Sequence, residues 1–145
     1  MGDRGEMLRA AAPCGILCSD CGPFLAKNDP AVLEACVARG IPRDRLPCPG
    51  CREVKGFCPV IEGQCATYAC LTERGHEFCF ECPDFPCEKL NPAADRAEVL
   101  PHNLKVFNLC FIRRHGLEAW LKAAPEIKKK YYRGRMEVGQ GPRLK

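Results

Sequence analysis

Residues 65–90 read CATYACLTERGHEFCFECPDFPCEKL and carry five cysteines, Cys65, Cys70, Cys79, Cys82 and Cys87. Gaps of four, eight, two and four residues separate them. Cys82-Pro83 and Pro86-Cys87 are turn signals that clamp the second half of the stretch. So many thiols this close together need a reason, and either a disulfide framework or a bound metal supplies one.

The whole chain has 13 cysteines in 145 residues. Above roughly 8–10% cysteine, a short chain is a stapled scaffold, and the compartment decides the kind of staple. The opening MGDRGEMLRAAA carries acids and lacks the apolar run of about 7–15 residues that marks a signal peptide. No stretch approaches the roughly 18 apolar residues needed to span a bilayer. Met1-Gly2 opens a myristoylation motif, but Glu6 stands where that motif needs Ser or Thr. The expectation is a cytoplasmic protein with reduced thiols and no membrane partner, in which metal is favoured over disulfides. An odd number of cysteines argues the same way.

Charge is divided along the chain. Residues 1–87 hold 9 Lys/Arg against 12 Asp/Glu, and residues 88–145 hold 13 against 6, for the overall +4. A four-thiolate zinc site or an oxidised four-iron cluster would add about −2, because the ligands must deprotonate. The cysteine half is acidic and the C-terminal part basic.

Upstream, PCGILCSDCG holds Cys14, Cys18 and Cys21 beside Gly15 and Gly22. Glycine lets backbone turn tightly and lets N–H groups approach a thiolate. The C-x3-C-x2-C spacing also matches radical S-adenosylmethionine enzymes, but a chain this short cannot supply their large partial barrel. Asn28-Asp29-Pro30 opens a short helix that Gly40 ends, with Val32, Leu33, Cys36 and Val37 on one apolar stripe. Cys36 therefore reads as a small buried hydrophobe. Cys48-Pro49-Gly50-Cys51 is a C-x2-C pair around a turn, able to aim both sulfurs at one ion about 2.3 Å away. A redox dithiol would need a thioredoxin-like strand and helix, which this sequence lacks. Cys58 follows as a weaker candidate ligand.

Thr67 to Arg74 fits a turn or two of helix closed by Gly75, and His76 reads as an exposed loop residue rather than a ligand. Asp84 is the one acid worth testing as a catalytic base, with turn capping the simpler role. Further on, Leu100, Leu104, Phe107 and Phe111 recur at helical spacing as one apolar face, with Cys110 beside it as core. Leu117, Trp120 and Leu121 form a second face, and Pro125 is expected to separate a last helical piece, Glu126 to Arg133. The tail KKKYYRGRMEVGQGPRLK reads as solvated and flexible. Its segment Lys128–Arg135 could also neutralise nucleic-acid phosphates, with Tyr131 or Tyr132 stacking on bases.

CGILCSDC, then PCPGC, then the C-x4-C-x8-C-x2-C-x4-C series ending in DFPCEKL, together with NLKVFNLCFIRRHGLEAWL, resembles a family of short Cys-rich bacterial and archaeal proteins. That family is domain of unknown function 3795 (DUF3795), and the resemblance covers roughly residues 13–122. By position it implies Cys14, Cys18, Cys21, Cys48, Cys51, Cys65, Cys70, Cys79, Cys82 and Cys87 as shared metal ligands. Cys58 corresponds only loosely, and Cys36 and Cys110 fall outside the pattern. Some relatives carry a further cysteine pair at the C-terminus, where this chain has its basic tail. The resemblance implies no activity.

The expected fold is a small, α-rich, irregular domain stapled by metal, with short helices and a C-terminal helical segment packed on the metal-bound half. Residues 1–12 would be a flexible N-terminus, 13–90 the metal-binding region, 91–133 the helical segment and 134–145 a basic tail. These ligands suit two or three sites. Paired C-x2-C knuckles at Cys18/Cys21, Cys48/Cys51 and Cys79/Cys82 favour Zn2+. Cysteine density and Cys-Pro pairs favour a 4Fe-4S cluster. Three functions follow: a binding or adaptor module with a protein partner, an iron-sulfur electron-transfer protein, and, least favoured, a zinc enzyme. His76, His102 and His115 form no HExxH-like arrangement, which weighs against the enzyme.

Overall fold

Trp120, Leu109, Phe78, Leu90, Ile112, Leu117 and Ala11 form the central apolar cluster, and four distant parts of the chain supply them. The computed structural model describes residues 2–144. Met1 and Lys145, the outer ends of the expected flexible termini, lie outside the described residues. Roughly half the chain is helical, in short pieces: α1 (Arg4–Ala10), α2 (Gly22–Leu25), α3 (Pro30–Ala38), α4 (Ala66–Glu73), α5 (Lys105–His115) and α6 (Leu117–Arg133). A hairpin of β1 (Arg135–Glu137) and β2 (Gly141–Arg143) follows, in antiparallel register with Arg135 opposite Arg143.

Local chemistry explains these boundaries. The Asp29 carboxylate caps α3 by accepting from the Ala31 and Val32 N–H groups at 3.0 and 3.3 Å, and Pro30 occupies the first turn. Cys36 lies buried on that helix, as its apolar stripe predicts. Gly116 separates α5 from α6 at φ +91°, a backbone conformation that side-chain-bearing residues seldom adopt. The two helices fold back on each other there and bury Leu109, Ile112, Leu117 and Trp120 between them.

Four expectations are revised. Within the stretch 1–12, expected to be flexible, Arg4–Ala10 form α1. Its Met7 and Leu8 pack on the core, and the stretch ends in fully buried Ala11 and Ala12. Pro125 does not interrupt the last helix: α6 runs through it, with Pro125 exposed while Trp120, Ala124 and Ile127 hold both sides to the core. The buried face of α5 is Asn108, Leu109 and Ile112, so Phe107 is 54% exposed and Cys110 is exposed rather than core. Asn108 fixes that rotation by donating from Nδ2 to the Gly15 carbonyl at 2.8 Å. The tail expected to be flexible carries the β1–β2 hairpin, with an Arg143–Glu137 ion pair of 3.0 Å across it. No helix among the described residues is long and apolar enough to cross a membrane.

Candidate metal centre

The stretch 65–90 wraps around a small cavity. Helix α4 begins after Cys65 and carries Cys70; Gly75 then reverses the chain at φ +72°, with the His76 N–H donating to the Leu71 carbonyl at 3.1 Å. Phe78 inserts into the core, and the Glu81 carboxylate accepts from the Glu77 and Phe78 N–H groups at 2.6 Å each, which starts the short turn Cys79–Glu81. The Cys79 N–H donates to the Pro13 carbonyl at 3.1 Å, joining this turn to the upstream cysteine loop. Two more turns close at Cys82 and Cys87, whose carbonyls accept from the Phe85 and Leu90 N–H groups.

Cys70, Cys79, Cys82 and Cys87 line the resulting cavity of about 30 Å³, together with Leu71, His76, Phe85 and Leu90. Sulfur and carbon face its interior. The Cys82 sulfur accepts from the Arg74 guanidinium at 2.9 Å and from the Asp84 N–H at 3.4 Å. Two N–H donors thus converge on this one sulfur, and one of them is cationic. Arg74 also pairs with Asp84 at 2.8 Å, so that carboxylate is already engaged. Burial, followed by the neighbouring Cys14, Cys87, Cys70 and Cys82, pushes the Cys79 thiol up to about 12. A neutral thiol is what such a site holds without a metal; a cation reverses the preference.

The upstream cysteines gather separately. Cys18, Cys21, Cys48, Cys51 and Cys58 come together from two loops. The neighbouring Cys51 thiol pulls Cys18 down to about 7, and Cys18 in turn pushes Cys51 up. Cys21 is pushed up to about 12 by burial, with Cys58, Cys48 and Cys18 adding to it. Cys14 and Cys65 lie near each other between the two groups, and burial raises Cys14. Gly15 makes this packing feasible. At φ +92°, a Cβ there would stand 2.6 Å from the Lys105 carbonyl oxygen and 2.9 Å from Leu109 Cγ. Only glycine lets the Cys14–Cys18 loop lie this close to α5.

All eleven sequence-predicted ligands thus fall in or between two thiol groups. Among the described residues, however, no three His, Cys, Asp or Glu side chains meet closely enough to hold a metal ion as they stand. The thiols ring a space instead of closing on a point. As a donor set, four thiols facing a small apolar cavity fit soft metals such as zinc or iron-sulfur.

His76 is half-buried in the cavity wall and not an exposed loop residue, because the Gly75 reversal turns it inward. Sequence reading missed Arg74 and Arg52. Arg52 donates to the Leu8, Ala11 and Glu77 carbonyls at 3.1, 2.8 and 2.9 Å and stacks over the Phe78 ring at 4.7 Å. It thereby joins α1, the second cysteine loop and the approach to Cys79. Its place next to Cys51 was the one available signal. The Lys128–Arg135 segment is partly committed: Lys128 pairs with Asp20 at 2.8 Å, and the Tyr131 hydroxyl donates to the Ala97 and Leu100 carbonyls. Tyr131 is therefore a strap across residues 97–100 and not a free stacking platform.

Fold and site define a small, roughly half-helical, cysteine-rich domain. The chain belongs to the family described as protein of unknown function (DUF3795), whose profile matches residues 10–92 and so spans both thiol groups. No curated protein and no solved structure matched the chain.

Proposed function

We propose that this chain is a metal-binding module whose inorganic centre sits among Cys70, Cys79, Cys82 and Cys87, and that it works as a docking scaffold for a protein partner. The observation that carries the reading is the four-thiol cavity with Arg74 and the Asp84 N–H on the Cys82 sulfur. At about 30 Å³ the cavity exceeds the roughly 10–15 Å³ that admits one water, but an organic ligand needs about 300–1,000 Å³. An inorganic group fits this scale and an organic substrate does not. Exposed Phe57, Val60 and Ile61 beside Cys58 give an apolar edge suited to a partner protein.

A second reading is an iron-sulfur electron-transfer protein. It is favoured by thiols that ring the cavity without converging, since a cluster offers each sulfur its own iron. N–H···S contacts such as those at Cys82 are among the levers that set a cluster's potential.

One experiment tests both. Wild type and the Cys79→Ser/Cys82→Ser variant are purified anaerobically, and zinc, iron and acid-labile sulfide are measured per chain. The cavity centre predicts that the variant loses metal. Iron with matching sulfide selects the redox reading, and zinc alone selects the scaffold. Equal metal in both proteins would sink the cavity centre.

A further inference from the structure

We propose that the outward face of α5, carrying Phe107, Phe111, Arg114 and His115, docks single-stranded nucleic acid. This surface belongs to the helical half of the molecule and does not depend on the metal centre.

Helix α5 has a side that the core leaves unused. Asn108, Leu109 and Ile112 are buried, and the Asn108 bond to the Gly15 carbonyl holds that rotation. At about 100° per residue, the opposite side carries Phe107, Cys110 and Phe111, with Arg114 one turn further on. His115 follows along one edge, and Val106 and Arg113 along the other. Phe107 is 54% exposed, and Cys110, Arg113, Arg114 and His115 are exposed as well. Phe111 lies half-buried between Phe107 and His115, with ring centroids 6.4 and 4.6 Å away. Three aromatic rings therefore succeed one another along the helix. A Phe–Phe pair at i,i+4 supports a helix by itself, but that role needs neither the third ring nor the arginines beside it.

Residues 105–115 contain Lys105, Arg113 and Arg114 and no Asp or Glu. Cations suit the last turn of a helix, yet Arg113 and Arg114 form no ion pair among the described residues. Nearby acids are engaged elsewhere. Glu118 pairs with Lys122 at 2.9 Å, and Glu81, on the turn packed against α5, accepts from the Glu77 and Phe78 N–H groups. Glu88, in the cleft beside Val106, faces Lys89 at 3.9 Å.

The face thus combines π surfaces on which bases stack with unpaired cations for phosphates. A duplex could use the arginines but hides its base faces from the rings. A second copy of the chain would bring two acid-free faces together, so charge disfavours self-association. The basic end of α6 is less free, since Lys128 is paired with Asp20 and Tyr131 is tied to residues 97 and 100.

Full-length protein, purified anaerobically, is titrated by fluorescence anisotropy against labelled RNA and DNA single strands of about 16 nucleotides and against the DNA duplex. Phe107→Ala should weaken single-strand binding by about 5–100-fold, the range for one stacked base, and leave duplex binding unchanged. Arg113→Ala/Arg114→Ala should lower the slope of log K against log salt by about 1.4, as two lost phosphate contacts require. These side chains are exposed, so circular dichroism should match wild type. Binding of either RNA or DNA supports the face, and their ratio identifies the natural strand. The proposal is overturned if wild type binds no single strand, if duplex binds as tightly, or if Phe107→Ala binds like wild type. A larger loss in Lys129→Ala/Lys130→Ala than in Arg113→Ala/Arg114→Ala would move the contact to α6 and overturn it too. So would polyglutamate competing as well as unlabelled strand, which assigns the face to an acidic protein, or a dimer in sedimentation that Phe107→Ala abolishes.

Discussion

Gly15 and Arg74 show how single residues hold this arrangement. At Gly15 the left-handed backbone coincides with contact against the Lys105 carbonyl and Leu109. Gly15→Ala is expected to cost about 2–3 kcal/mol, since strain and overlap with backbone act together. Urea unfolding of wild type and variant measures this, and a change within about 0.5 kcal/mol would show that the loop does not need the close approach. Arg74 is exposed and its removal opens no cavity, so its effect should fall on the centre alone. Arg74→Ala is expected to speed metal loss to a chelator by about 10–100-fold with circular dichroism unchanged, the range typical for groups supporting a ligand. An unchanged rate would remove Arg74 from the site. One of the two was legible in the sequence. Gly15 was marked by its cysteine neighbours, whereas Arg74 acts across a chain reversal that no local pattern encodes.

At the scale of elements, α6 is the clearest case. Pro125 lies inside a 17-residue helix, and an interior proline costs about 3 kcal/mol relative to alanine. Helix α6 tolerates it because Trp120 and Ala124 before it and Ile127 after it are held by the core. Pro125→Ala should therefore raise stability by about 1–3 kcal/mol, read as a higher Tm. A lower Tm would mean that the ring makes a contact the helix needs. The same paragraph of sequence explains what could be read in advance. Helix α3 was legible from Asp29-Pro30, Gly40 and its stripe, because caps and stripes are local signals. The rotation of α5 was not, because a long-range bond from Asn108 to Gly15 sets it and leaves Phe107 and Cys110 outside. Spacing alone likewise marked the cysteines but not their grouping. Cys65 belongs to the 65–90 stretch in sequence, yet it leaves the other four at the cavity and lies beside Cys14.

For the whole molecule, thiol protonation links stability to pH. In the metal-free, reduced chain Cys21 and Cys79 are each raised from 9.0 to about 12. Folded protein keeps these protons where the unfolded chain has released them, so their contribution is complete below pH 9 and is lost as pH rises towards 12. Cys18 works in the opposite sense: lowered to about 7, it contributes above 9 and is lost as pH falls through 7. The metal-free chain should be most stable near pH 9 and weaken on either side, as denaturant titrations across pH would record. With metal bound the alkaline loss should vanish, because ligated thiolates carry no proton to lose, and acid should become the destabilising direction. An alkaline loss that survives metal loading would contradict that linkage.

Metal and sulfide per chain in anaerobically purified wild type, read beside its reactive thiols, decide whether cysteine-bound metal builds this domain. Bound zinc, or iron with sulfide, is expected, with most of the 13 thiols unreactive until a chelator is added. A folded, metal-free protein in which all 13 thiols react without a chelator would contradict it.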